Sequence, residues 1–195
     1  MTSQPTYSFL DLENRLYGLL DQMRINELNR VEEAIKKNPE EEEEYHLHGL
    51  CAVLGYDETK HHSYFDTESG EKDILTNTDI NLYSPEALET LQEAMEIDGA
   101  ILIGADGKIL HSGSYMQHDD SVYKRHPEAN TTRLYLRDTF DGGTRHRAAI
   151  ALSAQLPELL FYTLKSDHPQ LRIFKEGSIY RSTVPNEVIL PSYSV

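Results

Sequence analysis

The chain has 195 residues, a formal net charge of -15 and an isoelectric point near 4.9. Such an acidic balance excludes a protein that coats DNA or RNA, because neutralising phosphates requires a surplus of lysine and arginine. A single cysteine, Cys51, excludes an intrachain disulfide and a cysteine-rich zinc site.

The first part of the chain predicts a helical hairpin. It carries no signal-peptide pattern, and no apolar run reaches the ~20 residues of a membrane span, so we expect a cytoplasmic protein with no membrane partner. Apolar residues recur at steps of three or four over 8–37, which predicts one amphipathic helix ending at Asn38-Pro39. Pro39, the glutamates after it and Gly55 predict a second helix over 39–55.

The middle of the chain predicts a linker, a helix and a β-hairpin. Residues 56–83 show no sustained period and indicate a loop or linker, although a short strand could lie within it. Ser84 is a suitable N-cap and Pro85 a suitable first residue for the helix that follows. The run GAILIG, the Asp-Gly turn in ADGK and the run KILHSGSY then predict two paired strands.

The last part predicts one helix and two further strands. Polar residues over 116–141 indicate a long surface excursion before this helix. Helix formers predict the helix over about 145–155, and Pro157 closes it. The runs LLFYTLK and QLRIFKEGSIYR predict two strands joined by a turn at SDHP, so the whole pattern predicts a mixed α/β fold.

The stretch GGTRHR at residues 142–147 is a candidate anion site. The first turn of a helix has backbone N–H groups without partners, and its dipole attracts negative charge. Arg145 and Arg147 oppose that dipole, which weakens the helix unless an anion offsets them, and their forked donors match phosphate oxygens. The alternative is an ordinary helix start whose arginines pair with surface carboxylates.

Asp98 is a second candidate, because it lies between a predicted helix and an apolar strand. A carboxylate there can bind a divalent metal ion or accept a proton from a sugar hydroxyl. The alternative is that Asp98-Gly99 is only a connecting turn. No GxSxG elbow, GxxxxGK[ST] loop or HExxH pair occurs, so hydrolase-triad, P-loop and zincin sites have no support.

Taken together, these motifs resemble those of the diadenylate cyclase catalytic domain. DGA at Asp98–Ala100 opens an apolar strand, SGSYM follows, and GTRHRAA at Gly143–Ala149 comes after it. The resemblance covers about residues 84–181. It implies a mixed-sheet α/β domain that converts two ATP molecules into cyclic di-AMP and two pyrophosphates. It also implies Mn²⁺ or Mg²⁺ and a face-to-face dimer or higher oligomer, since each protomer of this family binds one ATP.

The resemblance also assigns roles to individual residues. A tyrosine stacks on adenine, and the arginines and histidine neutralise charge on the leaving pyrophosphate. The catalytic residues that the resemblance implies are Asp98, Arg145, His146 and Arg147. ATP binding falls on Gly99, Ala100, Tyr115, Met116, Gly143, Thr144 and Ser166, and metal binding on Asp98 and Asp167.

Two features depart from the family pattern, and both bear on the function. Asp167 and His168 stand where relatives carry glutamates, and the 116–142 segment is long.

The predicted division is a helical hairpin over 1–55, a linker over 56–83 and a catalytic domain over 84–195. This arrangement is most like that of the sporulation-type cyclases, whose N-terminal helices are thought to control assembly. The alternatives are that these helices pack on their own domain, that the protein is a nucleotide sensor without turnover, or that the hairpin is its functional part.

Overall fold

A computed structural model describes residues 6–37, 49–68, 73–75, 79–117, 144–165 and 170–184. Four helices and seven strands lie in these ranges. The helices are α1 (Phe9–Lys37), α2 (Glu58–His61), α3 (Ala87–Met95) and α4 (Thr144–Gln155). The strands are β1 (Leu50–Tyr56), β2 (Phe65–Asp66), β3 (Ala100–Gly104), β4 (Ile109–Met116), β5 (Leu160–Leu164), β6 (Leu171–Lys175) and β7 (Ser178–Ser182).

The strands form one mixed sheet in the order β2-β4-β3-β1-β5-β6-β7. β1 and β3 are parallel, and each of the other neighbouring pairs is antiparallel. One face of the sheet packs on α1 and α3, and the other packs on α4. The predicted mixed α/β class is therefore confirmed.

The predicted second helix is wrong over residues 50–55, which belong to strand β1. β1 is the central strand, and it pairs with β3 on one side and β5 on the other. Its sequence, LCAVLGY, is an apolar run buried on both faces, and periodicity alone does not separate such a run from a buried helix. The earlier part of that prediction, residues 39–48, lies outside the described residues.

Helix α1 confirms the predicted amphipathic helix, and its first half is part of the core. The side chains of Leu12, Leu16 and Leu20 are fully buried against the sheet. The Ser8 hydroxyl accepts from the Asp11 N–H, and the Asp11 carboxylate accepts from the Ser8 N–H, which caps the helix. The alternative that the N-terminal helix packs on its own domain therefore holds for this half.

Three distant contacts fasten α1 to the rest of the domain. Arg15 donates from Nε to the Leu82 carbonyl at 2.9 Å, and the Tyr162 hydroxyl donates to the Glu13 carbonyl at 3.4 Å. The Arg181 guanidinium lies 3.4 Å from the centre of the Tyr17 ring.

The region predicted as a linker, 56–83, contains regular structure. α2 and the short strand β2 lie within it, and β2 extends the sheet beside β4. The next helix, α3, begins at Ala87 and not at Pro85. The Ser84 hydroxyl is not its cap, because that hydroxyl accepts from the Asn81 N–H within the preceding turn.

The predicted β3–β4 hairpin and strand β5 are confirmed, and α4 begins one residue earlier than predicted. The final predicted strand is instead a hairpin of β6 and β7. The chain turns at Glu176-Gly177, where both residues have positive φ angles of 51° and 75°. The predicted surface excursion lies outside the described residues from 118 onward.

The buried first half of α1 predicts a test with a matched control on the same helix. Leu16→Ala should lower the free energy of unfolding by about 2–5 kcal/mol, because it removes a fully buried side chain from the core. Leu10→Ala, at a side chain that is 60% exposed, should change it by less than about 0.5 kcal/mol. Urea denaturation followed by circular dichroism measures both; equal effects would contradict the packing of α1.

Candidate functional site

A cleft of about 500 Å³ opens where the N-terminus of α4 meets one edge of the sheet. The starts of the parallel strands β1 and β3 and the ends of β4 and β5 reach this edge. The cleft is lined by Gly49, Leu50, Asp98, Gly99, Ser114, Tyr115, Met116, Thr144, Arg145, His146, Ala148, Leu164 and Lys165.

Most of the predicted site residues that the structure describes meet in this cleft. Those lining it are Asp98, Gly99, Tyr115, Met116, Thr144, Arg145 and His146. Ala100 lies beneath them, fully buried in β3, and Arg147 is exposed on α4 without lining the cleft. Gly143, Ser166 and Asp167 lie outside the described residues.

Asp98 and Arg145, 47 residues apart in the chain, form an ion pair at the cleft. The Arg145 Nη2 donates to the Asp98 carboxylate at 2.6 Å, and their side chains are 30% and 65% exposed. The sequence alone leaves open whether Arg145 pairs with a carboxylate or holds phosphate. A pair this exposed contributes at most about 1 kcal/mol, so an anion can take over the guanidinium at little cost.

The first turn of α4 gives the cleft a positive wall. Thr144 is the first helical residue and is exposed, and no acidic side chain lies in this turn. The positive end of the helix dipole lies at this turn, and the Arg145 cation at the cleft adds to it. The Nε of Arg145 is buried and has no hydrogen-bond partner among the described residues.

His146 lies in the same turn but carries no charge. Its ring is only 6% exposed, and its Nε2 lies 3.3 Å from the Arg172 Nη1. Burial, and then the nearby cations of Arg172, Lys165 and Arg145, lower its pKa from 6.5 to about 3. The implied role of this histidine in neutralising pyrophosphate charge stays a prediction, and a neutral ring can still donate a hydrogen bond to an anion.

Tyr115 presents an aromatic face at the rim of the cleft. Its side chain is 44% exposed, whereas the neighbouring strand residues Ser112 and Ser114 are buried. The next residue, Met116, places its sulfur 3.7 Å from the Cys51 thiol beneath the cleft. An exposed ring beside a cleft suits stacking on a flat heterocycle such as a purine.

Gly99 is required by the backbone around it. Its φ angle of 127° is one that residues with side chains rarely adopt. A Cβ placed there would lie 2.4 Å from the carbonyl carbon of Gly113 in β4. The missing side chain therefore makes room for the neighbouring strand β4.

Several cleft residues were missed by the sequence analysis. Lys165 directly follows β5, and a cation at the end of a predicted strand was a signal that could have found it. Gly49 and Leu50 could not be found, because residue 50 was assigned to a helix. Arg172, which is buried behind the cleft, gave no signal, because the strand sequence alone does not separate a buried arginine from an exposed one.

The donors at the cleft bear on metal binding. Asp98 supplies the one carboxylate among the described lining residues, and no cluster of three or more His, Cys, Asp or Glu side chains occurs among all described residues. Mg²⁺ is usually held by one or two carboxylates together with substrate phosphates and water. The exposed Asp98 carboxylate fits that kind of site.

Comparison with known proteins gives one family match. The sequence profile described as DisA bacterial checkpoint controller nucleotide-binding (DAC) matches residues 44–179. No curated protein matches the chain. No helix in the ranges that the structure describes is both long and apolar enough to cross a membrane.

Two solved structures are similar at low identity. A hypothetical membrane spanning protein from Bacillus cereus has a TM-score of 0.48 and 19% identity, over 70% of this chain and 56% of that chain. A double mutant of DacA from Staphylococcus aureus has a TM-score of 0.46 and 21% identity, over 86% of this chain and 90% of that chain. This chain therefore spans little more than half of the Bacillus cereus protein.

The contact between Gly99 and Gly113 predicts a test with opposite outcomes at two glycines. Gly99→Ala should destabilise the protein by more than the roughly 1–3 kcal/mol of backbone strain, because its methyl group meets the β4 backbone. Gly18→Ala in α1 should stabilise by about 0.5–1 kcal/mol, since no atom lies within 4 Å of the added methyl. Urea denaturation measures both, and a Gly99→Ala protein of undiminished stability would disprove the close approach.

The low pKa of His146 predicts a loss of stability in acid. The unfolded chain takes up a proton on this ring as the pH falls through 6.5, whereas the folded protein does so only near 3. The contribution of His146 to the free energy of unfolding should therefore be fully present above pH 6.5. At lower pH the free energy of unfolding should decrease by up to about 1.4 kcal/mol per pH unit.

His146→Gln is the control for this loss, because its amide oxygen can accept from Arg172 and does not titrate. The other titrating groups contribute equally to both proteins. The wild-type stability should fall more steeply than that of the variant from pH 8 to pH 5 in urea titrations at several pH values; parallel curves would show that folded His146 titrates normally.

Proposed function

The chain belongs to the DisA bacterial checkpoint controller nucleotide-binding (DAC) family, and from this premise we propose that it is a diadenylate cyclase. The proposed reaction condenses two ATP molecules into cyclic di-AMP and two pyrophosphates. The observation that carries it is the 2.6 Å contact between Asp98 and Arg145. The fold brings the DGA and GTRHR motifs together at one cleft, with an aromatic ring at its rim.

The cleft supports a specific orientation of ATP. Its volume of about 500 Å³ lies within the range typical of small-molecule sites. The triphosphate would lie at the α4 N-terminus, where the Thr144 hydroxyl, Arg145 and backbone N–H groups donate to its oxygens. The adenine would stack on the exposed Tyr115 ring. Lys165, directly after β5, adds a further cation to the lining.

Asp98 is the proposed ligand of a Mn²⁺ or Mg²⁺ ion. Such an ion would supply positive charge to the phosphates when bound. In this proposal the metal ion takes the Asp98 carboxylate from Arg145, and the triphosphate takes the Arg145 guanidinium from Asp98. Nucleotide and metal should therefore favour each other's binding. Asp167 stays a predicted second ligand.

The chemistry calls for two cleft sites facing one another. The same step occurs twice, once in each direction: the 3′-oxygen of each ATP forms a bond to the α-phosphorus of the other, and the bond from that phosphorus to the oxygen bridging to the β-phosphate breaks. Each step releases one pyrophosphate and one hydroxyl proton, which goes to solvent or a base. Arg145 stabilises the charge that develops on the leaving group. Asp98 and Tyr115 are 65% and 44% exposed, which leaves a bound nucleotide accessible to a second protomer.

Assembly of such a dimer could involve the second half of α1. The apolar residues of this half are exposed or partly exposed at Ile25, Leu28 and Val31, whereas Leu12, Leu16 and Leu20 of the first half are buried. This difference supports the proposed similarity to sporulation-type cyclases, whose N-terminal helices are thought to control assembly. Removing residues 1–80 cannot test the idea, because that deletion also removes the central strand β1. The cytoplasm, which supplies ATP, is the proposed compartment.

An assay of product formation tests the proposed function. Purified protein incubated with ATP and Mn²⁺ or Mg²⁺ should yield cyclic di-AMP, detected by mass spectrometry. Asp98→Asn should abolish product because it removes the carboxylate at the cleft. Asp79→Asn, at a side chain that is 85% exposed and pairs with Lys108, is the matched control and should keep wild-type activity. If two facing sites react, the specific activity should rise with protein concentration until the dimer is fully formed.

The remaining outcomes select the alternatives. Tight ATP binding by calorimetry without product at any protein concentration would indicate a nucleotide sensor. No nucleotide binding at all would leave the N-terminal region as the functional part. Product that persists in Asp98→Asn would contradict the role proposed for this carboxylate.

A further inference from the structure

A row of small and polar side chains crosses the sheet beneath α4. Strand pairing aligns these residues side by side, and directly paired residues share one face of a sheet. Two of them, Cys51 and Ala100, belong to the core cluster that packs against α4. The row therefore faces α4 and runs below its first turn. In spatial order it consists of Ser114, Ala100, Cys51, Thr163 and Arg172.

Arg172 ends this row and is the largest fully buried side chain among the described residues. It is 1% exposed, although burying a guanidinium costs free energy unless its donors find partners. One donor reaches the Gln170 side-chain oxygen at 2.8 Å, and another reaches the His146 Nε2 at 3.3 Å. The guanidinium thus spans the gap between β6 and the helix that forms the cleft wall.

The bond to Arg172 decides which nitrogen of His146 carries hydrogen. A guanidinium has donors and no acceptor, so the Nε2 of His146 must be the acceptor. A neutral imidazole that accepts at Nε2 carries its hydrogen on Nδ1. The His146 and Phe174 rings also form a T-shaped contact, with centroids 6.0 Å apart and planes at 88°, which helps hold the plane of the imidazole.

The charged groups around the ring act in the same direction. Arg145 comes from α4, Lys165 from the end of β5 and Arg172 from β6, and each disfavours a protonated His146. The Cys51 thiol on β1 stays uncharged at neutral pH, because burial raises its pKa to about 12. None of these four groups therefore favours the protonated form of the His146 ring.

We propose that Arg172 is the positioning residue of the cleft: it holds the His146 ring neutral, with hydrogen on Nδ1, so that the first turn of α4 meets an anion with a fixed donor. The consequence for turnover rests on the proposed cyclase function, but the state of the ring does not. The pair also links β6 to α4 behind the phosphate-binding wall, 26 residues apart in the chain.

The ring state can be read directly from ¹⁵N NMR of protein labelled on histidine. His146→Gln assigns the signals, and in the wild type they should show the neutral Nδ1–H form throughout the range from about pH 5 to pH 8. Arg172→Met removes the donor and the charge, so the ring should titrate in that range or exchange tautomers. Arg172→Lys keeps a cation and a donor and should restore the wild-type signals at least in part.

The control is Thr163→Val, in the same buried row. The Thr163 hydroxyl has no hydrogen-bond partner within the described part of the chain, and valine has nearly the same shape. This variant should leave the His146 signals unchanged. A wild-type ring that titrates near 6.5 or carries its hydrogen on Nε2 would overturn the proposal even if Arg172→Met does not fold.

Turnover supplies the second readout. If the wild type makes cyclic di-AMP, Arg172→Met should lower turnover by at least about tenfold, as loss of the outer partner of a site histidine commonly does. Its pH profile should gain an ionisation that wild type and Arg172→Lys lack. Unchanged turnover and an unchanged profile would overturn the positioning role. If the wild type makes no product, the cyclase proposal fails alone, and the NMR result still decides the state of His146.

Discussion

The whole arrangement depends on the pairing of strand β1 with its two neighbours. β1 joins the β2-β4-β3 half of the sheet to the β5-β6-β7 half. Each half supplies part of the cleft, since Asp98 precedes β3 and Lys165 follows β5. Because β1 is buried on both faces and lies between the halves, its hydrogen bonds fix the distance between those cleft walls. Through β1, the N-terminal region of the chain is therefore part of the fold itself, in addition to any regulatory role.

The charge distribution at the cleft follows from burial as much as from residue type. Arg145 and Asp98 are partly exposed, so solvent screens their pair and the partners can change. His146 and Arg172 are buried, so their contact persists and the ring remains neutral. The wall of the cleft therefore combines an exchangeable pair at the surface with a fixed one behind it. This division fits the proposed function, in which the site takes up and releases a highly charged ligand.

Helix α1 shows how one amphipathic element can have two environments. Its first half covers the sheet, and contacts through Arg15 and Tyr17 hold it to loops and strands far along the chain. Further along, Ile25 is exposed. The same periodicity runs through both halves, so the pattern of apolar residues indicates the helix without indicating where its coverage ends.

Local patterns were enough to identify α1, the β3–β4 hairpin, α4 and the two motifs of the cleft, because helix periodicity, an Asp-Gly turn and short motifs are properties of neighbouring residues. They also led to the family. Only the tertiary structure decided that residues 50–56 are the central strand, since a doubly buried strand and a buried helix share the same apolar composition. It also decided that Gly99 leaves room for the backbone of Gly113, and that His146 is neutral. These properties depend on backbone atoms and charged groups of segments that lie far apart in the chain. Those segments become neighbours only when the sheet forms.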